Sequence, residues 1–107
     1  MGLKKRKRLL FSPKARIALQ DIYDYIRNTD SPSAAIKVRK ALLARCNSLL
    51  EFAGYSTERY LEGMEWEFRS VTQWNYNIIY FVGDNQIEII EIIHTSQHPD
   101  KRKHILP

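Results

Sequence analysis

The dipeptide Ser-Pro occurs twice, at Ser12-Pro13 and Ser31-Pro32, and each time it opens a run with helical spacing. Serine accepts a hydrogen bond from a free N–H of a first helical turn, and proline in that turn has no N–H to leave unpaired. After the first pair, Ala15, Ala18, Leu19, Ile22, Tyr25 and Ile26 recur at helical spacing. Lys14, Arg16, Gln20, Asp21, Asp24 and Arg27 fill the other face. The pattern predicts an amphipathic helix over about 13–28. Asn28-Thr29-Asp30 reads as a turn. After the second pair, Ala35, Val38, Leu42, Cys46, Leu49 and Phe52 form one stripe, and Ile36, Leu43 and Leu50 a second. This predicts a helix of about 20 residues, roughly 30 Å long, buried more deeply than the first. Two helices joined by so short a turn lie antiparallel, as a helical hairpin.

The period then changes. Ala53-Gly54-Tyr55-Ser56 closes the second helix, and a polar connection runs to about Glu65. Trp66, Phe68 and Ser70 alternate with Glu67, Arg69 and Val71, and Tyr76, Ile78, Tyr80 and Val82 alternate with Asn77, Ile79 and Phe81. Ile87 to Ile93 is rich in β-branched residues, broken only by Glu88 and Glu91. These are three strands, with a hairpin turn at Gly83-Asp84-Asn85-Gln86. Isoleucine on both faces of the last strand predicts a central or covered position. Residues 5–11 supply a fourth strand, with Leu9 and Phe11 on one face. The order β-α-α-β-β-β predicts an α+β domain: one antiparallel sheet with the helical hairpin packed on it.

A length of 107 residues makes this one domain over 1–107. An apolar fraction of 44% with 27% charge excludes a disordered, collagen-like or coiled-coil chain. The lone Cys46 excludes an internal disulfide framework, fits a reducing compartment, and reads as a small core residue. Net charge is +5, but it is unevenly placed. Basic segments occupy 4–8 (Lys4, Lys5, Arg6, Lys7, Arg8) and 101–104 (Lys101, Arg102, Lys103), whereas residues 9–100 hold nine cations against all twelve acids. Only Leu9, Leu10 and Phe11 follow the first basic run, fewer than the roughly 7–15 apolar residues of an export signal. No stretch approaches the roughly 18 apolar residues of a membrane span, so a cytoplasmic protein with no membrane partner is expected. His94, His98, His104 and Cys46 lack zinc-site spacing, and the four glycines form no phosphate loop. Neither metal nor cofactor is expected.

Six segments, in order, carry a resemblance to a known family. They are Phe11-Ser12-Pro13-Lys14-Ala15, Ile22-Tyr23-Asp24-Tyr25-Ile26 and Ser31-Pro32-Ser33-Ala34-Ala35, then Phe68-Arg69-Ser70, Asn75-Tyr76-Asn77-Ile78-Ile79-Tyr80 and Glu91-Ile92-Ile93-His94-Thr95. Over about residues 8–99 the chain resembles the RelE/ParE superfamily, the small toxins of bacterial type II toxin–antitoxin systems, and its ParE branch more closely. The resemblance implies a growth-inhibiting toxin of the kind linked to plasmid stabilization. It also implies a cognate antitoxin whose C-terminal segment wraps the toxin in a hetero-oligomer. ParE-like members that are characterised act on DNA gyrase; RelE-like members are ribosome-dependent endonucleases that cleave mRNA. Gyrase is therefore the expected target, with the ribosome and its mRNA as the alternative.

Metal-free RNA cleavage needs a base for the 2′-hydroxyl, a group to stabilise the phosphorane, and an acid for the leaving oxygen. RelE-like members fill these roles with basic and aromatic side chains on the third strand and near the C-terminus. Here Tyr76 is followed by the amide Asn77, and Thr95-Ser96-Gln97-His98 stands where arginine is expected. These departures disfavour an enzyme. The catalytic candidates left to a nuclease are Arg69, His94 and His98, expected near one end of the sheet, with Tyr76 or Tyr80 to stack on a base. Each also has a purely structural reading: a strand-end hydrogen bond for His94, a carboxylate partner for Arg69, core packing for the tyrosines. Trp66 and Trp74 suit either an interface or burial beneath the loop. The expected target contacts are Arg69, His94, Gln97, His98, Lys101, Arg102 and Lys103. The expected antitoxin contacts are the helical hairpin and an exposed sheet edge. If the first and last strands are neighbours, the two basic ends share an edge and form one patch.

Overall fold

The computed structural model describes residues 7–51 and 68–95. The elements are β1 (Arg8–Phe11), α1 (Pro13–Thr29), α2 (Pro32–Ser48), β2 (Phe68–Gln73), β3 (Tyr76–Val82) and β4 (Gln86–His94), in the expected order. The closing segment 53–56, the connection after it and Trp66 lie outside the described residues. So do Gln97, His98, Lys101, Arg102 and Lys103.

Both Ser-Pro pairs start helices as expected. Ser12 Oγ accepts from the Ala15 N–H at 3.0 Å and Ser31 Oγ from the Ala34 N–H at 3.1 Å, each with proline in the first turn. Helix α2 is shorter than expected. Asn47 and Ser48 donate side-chain bonds to the carbonyls of Leu43 and Arg45, and the next three N–H groups form tighter i→i+3 bonds. Ala35, Leu42 and Cys46 of α2 are fully buried, whereas α1 fully buries only Ala15, so the second helix is indeed the deeper one. Its second stripe is not buried: Ile36 and Leu50 are exposed and Leu43 is half-buried. Ile36 and Leu43 sit about 100° round the helix from the buried stripe, and Leu50 lies past the helix end.

The sheet order is β1-β4-β3-β2, so the isoleucine-rich β4 is interior as its two-faced apolarity predicts. Strands β2, β3 and β4 pair antiparallel, but β1 runs parallel to β4, correcting the expectation of a wholly antiparallel sheet. Bonds at both ends of the short strand fix its direction. The Lys7 ammonium donates to the Gly83 and Asp84 carbonyls at the β3–β4 turn. At the other end, the Ser12 N–H donates to the Ile89 carbonyl and its hydroxyl to the Ile90 carbonyl, at 2.9 and 2.6 Å. The condition set for one shared basic patch, that the first and last strands be neighbours, is met, while Lys4, Lys5, Arg6, Lys101, Arg102 and Lys103 lie outside the described residues. Arg8 pairs with Gln86, and β4 ends at His94, roughly 25 Å further along the sheet.

The main core lies between the helices and one face of the sheet. Leu42, Cys46, Leu49, Ile78, Tyr80, Ile87 and Ile89 are at its centre. Burial pushes the Cys46 thiol up to about 12, as expected of a packed side chain rather than a nucleophile. A smaller cluster of Phe68, Ile79 and Ile93 occupies the other face. A register shift opposite Ile79 and Tyr80 inserts an extra residue in β4 and bends it past Ile89.

Candidate functional site

The register separates the two catalytic candidates that lie among the described residues. Arg69 pairs with Tyr80, which pairs with Ile89; His94 pairs with Tyr76, which pairs with Gln73. Four residues along the sheet and two strands across, their Cα positions stand roughly 16 Å apart. The expectation that they share one end of the sheet is therefore corrected: each strand read alone fixes alternation, not register with a neighbour. Tyr80 is fully buried in the core and offers no face to a base. The Tyr76 ring meets His94 edge-on, with centroids 5.4 Å apart. The Asn77 Oδ1 accepts from the Thr72 hydroxyl.

Among the described residues, a concave surface opens on each flank of α1. At about 100° per residue, Lys14, Ile17, Asp21 and Tyr25 fall on one flank and Arg16, Gln20, Tyr23 and Arg27 on the other. The first flank overhangs β4 where β1 has run out, since β1 pairs only with Gln86 to Ile89. A cleft of about 330 Å³ opens there, with Ile17, Ala18, Ile22 and Ile92 among its apolar walls and Lys14, Asp21, Tyr76, Glu91 and His94 among its polar ones. Glu91 follows the inserted residue of β4. Its Oε1 accepts from the Ile92 N–H at 3.0 Å, and burial raises its pKa from the ordinary value. The Ile92 bond and the nearby Lys14 ammonium oppose that rise. Burial, and to a lesser extent the Tyr25 hydroxyl nearby, raise the Tyr76 pKa.

The second flank packs against α2. A groove of about 190 Å³ is lined by Arg16, Leu19, Gln20, Arg39 and Leu43. The guanidinium groups of Arg27 and Arg39 both lie over the Tyr23 ring, at 5.9 and 5.6 Å from its centroid. Helix α2 carries Lys37, Arg39, Lys40 and Arg45 and no acidic residue. Arg45 Nε donates to Gln73 Oε1, tying the helix to β2. The sequence pointed to the helical hairpin as an antitoxin contact, but not to the basic character of this groove. The signal was there in the acid-free run from Pro32 to Ser48. Glu91 was legible only as an interruption of an isoleucine run; a carboxylate in an interior strand was the clue to the cleft. Among the described residues no group of three metal-ligating side chains occurs, and no helix is long and apolar enough to cross a membrane.

The order of elements and the sheet topology have counterparts among solved structures. A chain of the chromosomal ParDE toxin–antitoxin system from P. aeruginosa superposes with a TM-score of 0.70 at 20% identity, covering 87% of this chain and 100% of that one. YoeB from Staphylococcus aureus, solved as a dimer, gives a TM-score of 0.51 at 22% identity, covering 80% of this chain and 93% of its own. At these identities the likeness is one of fold. No curated protein sequence matches. The family model described as the ParE toxin of the type II toxin–antitoxin system parDE matches residues 9–99. This match spans both Ser-Pro caps, the helical hairpin and all of β2 to β4, and the chain belongs to the ParE toxin family.

Proposed function

We propose that this protein is a toxin held inactive by a cognate antitoxin, and that it inhibits DNA gyrase by occupying a protein surface without covalent chemistry. The separation of Arg69 from His94 carries the non-enzymatic half of this reading. General acid–base cleavage needs both side chains at one phosphate, whereas their Cα positions lie roughly 16 Å apart with the buried Ile78 and Tyr80 between them on that face of the sheet. The family membership and the ParDE likeness support the toxin half. For the antitoxin, the groove between α1 and α2 offers apolar Leu19 and Leu43 between Arg16 and Arg39, beside the exposed Ile36. An acidic amphipathic segment matches that surface in charge and in apolarity. Gyrase as target places the site of action in the cytoplasm. The target contacts proposed are Arg69, His94 and the segment Gln97, His98, Lys101, Arg102 and Lys103.

Supercoiling by purified gyrase, measured against increasing toxin, tests the reading. Saturable inhibition is expected, reversed by stoichiometric antitoxin and weakened at least tenfold when Lys101, Arg102 and Lys103 are replaced together by alanine. Undiminished supercoiling, with discrete cuts in translated mRNA that disappear in His94→Ala, would overturn it in favour of a RelE-like endonuclease.

A further inference from the structure

The flank of α1 away from the basic groove has a different chemistry. Its cleft holds two carboxylates, Asp21 and Glu91, against the single ammonium of Lys14. Glu91 is half-buried and held at a fixed point by the Ile92 N–H, so its charge has less water around it than a surface carboxylate. The walls beneath are aliphatic: Ile17, Ala18, Ile22 and Ile92. Around the same end of the sheet stand three of the exposed large apolar side chains, Ile17 at 61% exposure, Tyr25 at 68% and Trp74 at 50%. Aromatic and aliphatic side chains left exposed around a cleft with aliphatic walls and a few polar groups are the usual anatomy of a protein-binding anchor site. A volume of about 330 Å³ lies at the small end of the ~300–1,000 Å³ range of ligand pockets, suited to one side chain.

We propose that this cleft receives an arginine side chain from a protein partner, its guanidinium seated between Asp21 and Glu91 and its methylenes against Ile17, Ala18 and Ile22. The occupant is cationic because two carboxylates outnumber the lysine. It is an arginine because a planar fork can meet both carboxylates and lie against Tyr76, which a point-like ammonium does less well. Because the cleft and the basic groove lie on opposite flanks of α1, the protein presents two docking surfaces of opposite charge. The inference does not depend on the identity of the toxin's target.

The test is a titration of the full-length protein with Nα-acetyl-arginine-N-methylamide, followed by NMR at the His94 ring and the methyls of Ile17, Ala18 and Ile92. Saturable shifts at these positions are expected, with a dissociation constant on the order of 1 mM. Asp21→Asn, on the helix surface, and Glu91→Gln should each weaken binding severalfold. Lys14→Met, which removes the competing cation, should strengthen it severalfold, and Arg16→Met on the opposite flank should leave it unchanged. Absent shifts, equal binding of the glutamate analogue, or wild-type affinity in Asp21→Asn would each overturn the proposal.

Discussion

At the scale of single residues, Trp74 is the one described non-glycine residue with positive φ, at 53°. It begins the two-residue connection between β2 and β3, where the handedness of the strands favours a left-handed conformation normally given to glycine. A bulky L-residue there is strained by about 1–2 kcal/mol. Trp74→Gly should therefore raise the unfolding free energy by up to about 1 kcal/mol, read from urea denaturation, since part of the relief is offset by the glycine's greater chain entropy. Trp74→Ala keeps the Cβ and should gain nothing. An equal gain in both variants would assign the effect to removal of the exposed indole instead. The sequence left Trp74 undecided between interface and burial, because its conformation depends on how two strands close on each other. Cys46 was plainly legible, since a helical stripe position fixes burial without reference to any partner strand.

At the scale of elements, Ser12 joins a strand to a helix and does two jobs. It caps α1 at the Ala15 N–H and donates to the Ile90 carbonyl of β4. Ser12→Ala should cost about 1–2 kcal/mol in urea unfolding, more than Ser31→Ala, whose hydroxyl caps α2 without a bond to the sheet. Equal losses at the two serines would mean that the tie to β4 contributes nothing. The caps themselves were readable from four letters, because capping is local chemistry. The direction of β1 was not, because it is set by Lys7 and Ser12 meeting residues more than seventy positions away. The same distinction explains α2. Its buried stripe could be read from spacing, while the exposure of Ile36 and Leu50 depends on where α1 and the sheet end.

At the scale of the whole molecule, the described charges differ from one element to the next. The cations of α2 have no acidic residue on their own helix, while Glu88 and Glu91 interrupt the isoleucine strand β4. Glu91 gives this arrangement a pH signature. Its pKa in the folded protein is raised above the ordinary 4.5, mainly by burial, so folding favours the neutral acid. The associated stability is complete below about pH 4.5 and is lost as pH rises through the raised value. Glu91→Gln keeps an acceptor for the Ile92 N–H without a titrating charge, and should show a smaller decline in urea midpoint above pH 4.5 than the wild type. Parallel pH profiles would remove Glu91 as the cause. The candidate site was only partly visible in the sequence for a related reason. Arg69 and His94 were identifiable as chemistry, but their separation comes from register, and the cleft exists only because β1 stops after four residues.

The position of β4 also has a consequence in time. It is the last of the described strands to be synthesised, yet it lies inside the sheet, and Ser12 must wait for Ile90, 78 residues later, to complete its bonds. The helical hairpin, built from local contacts, can form early on a growing chain, whereas the sheet has no centre until translation has passed Ile93. A chain terminated anywhere before Gln86 lacks the strand that joins β1 to β3. Interrupted synthesis of this toxin therefore yields fragments without its fold, and the folded surface is complete only after β4 has been made.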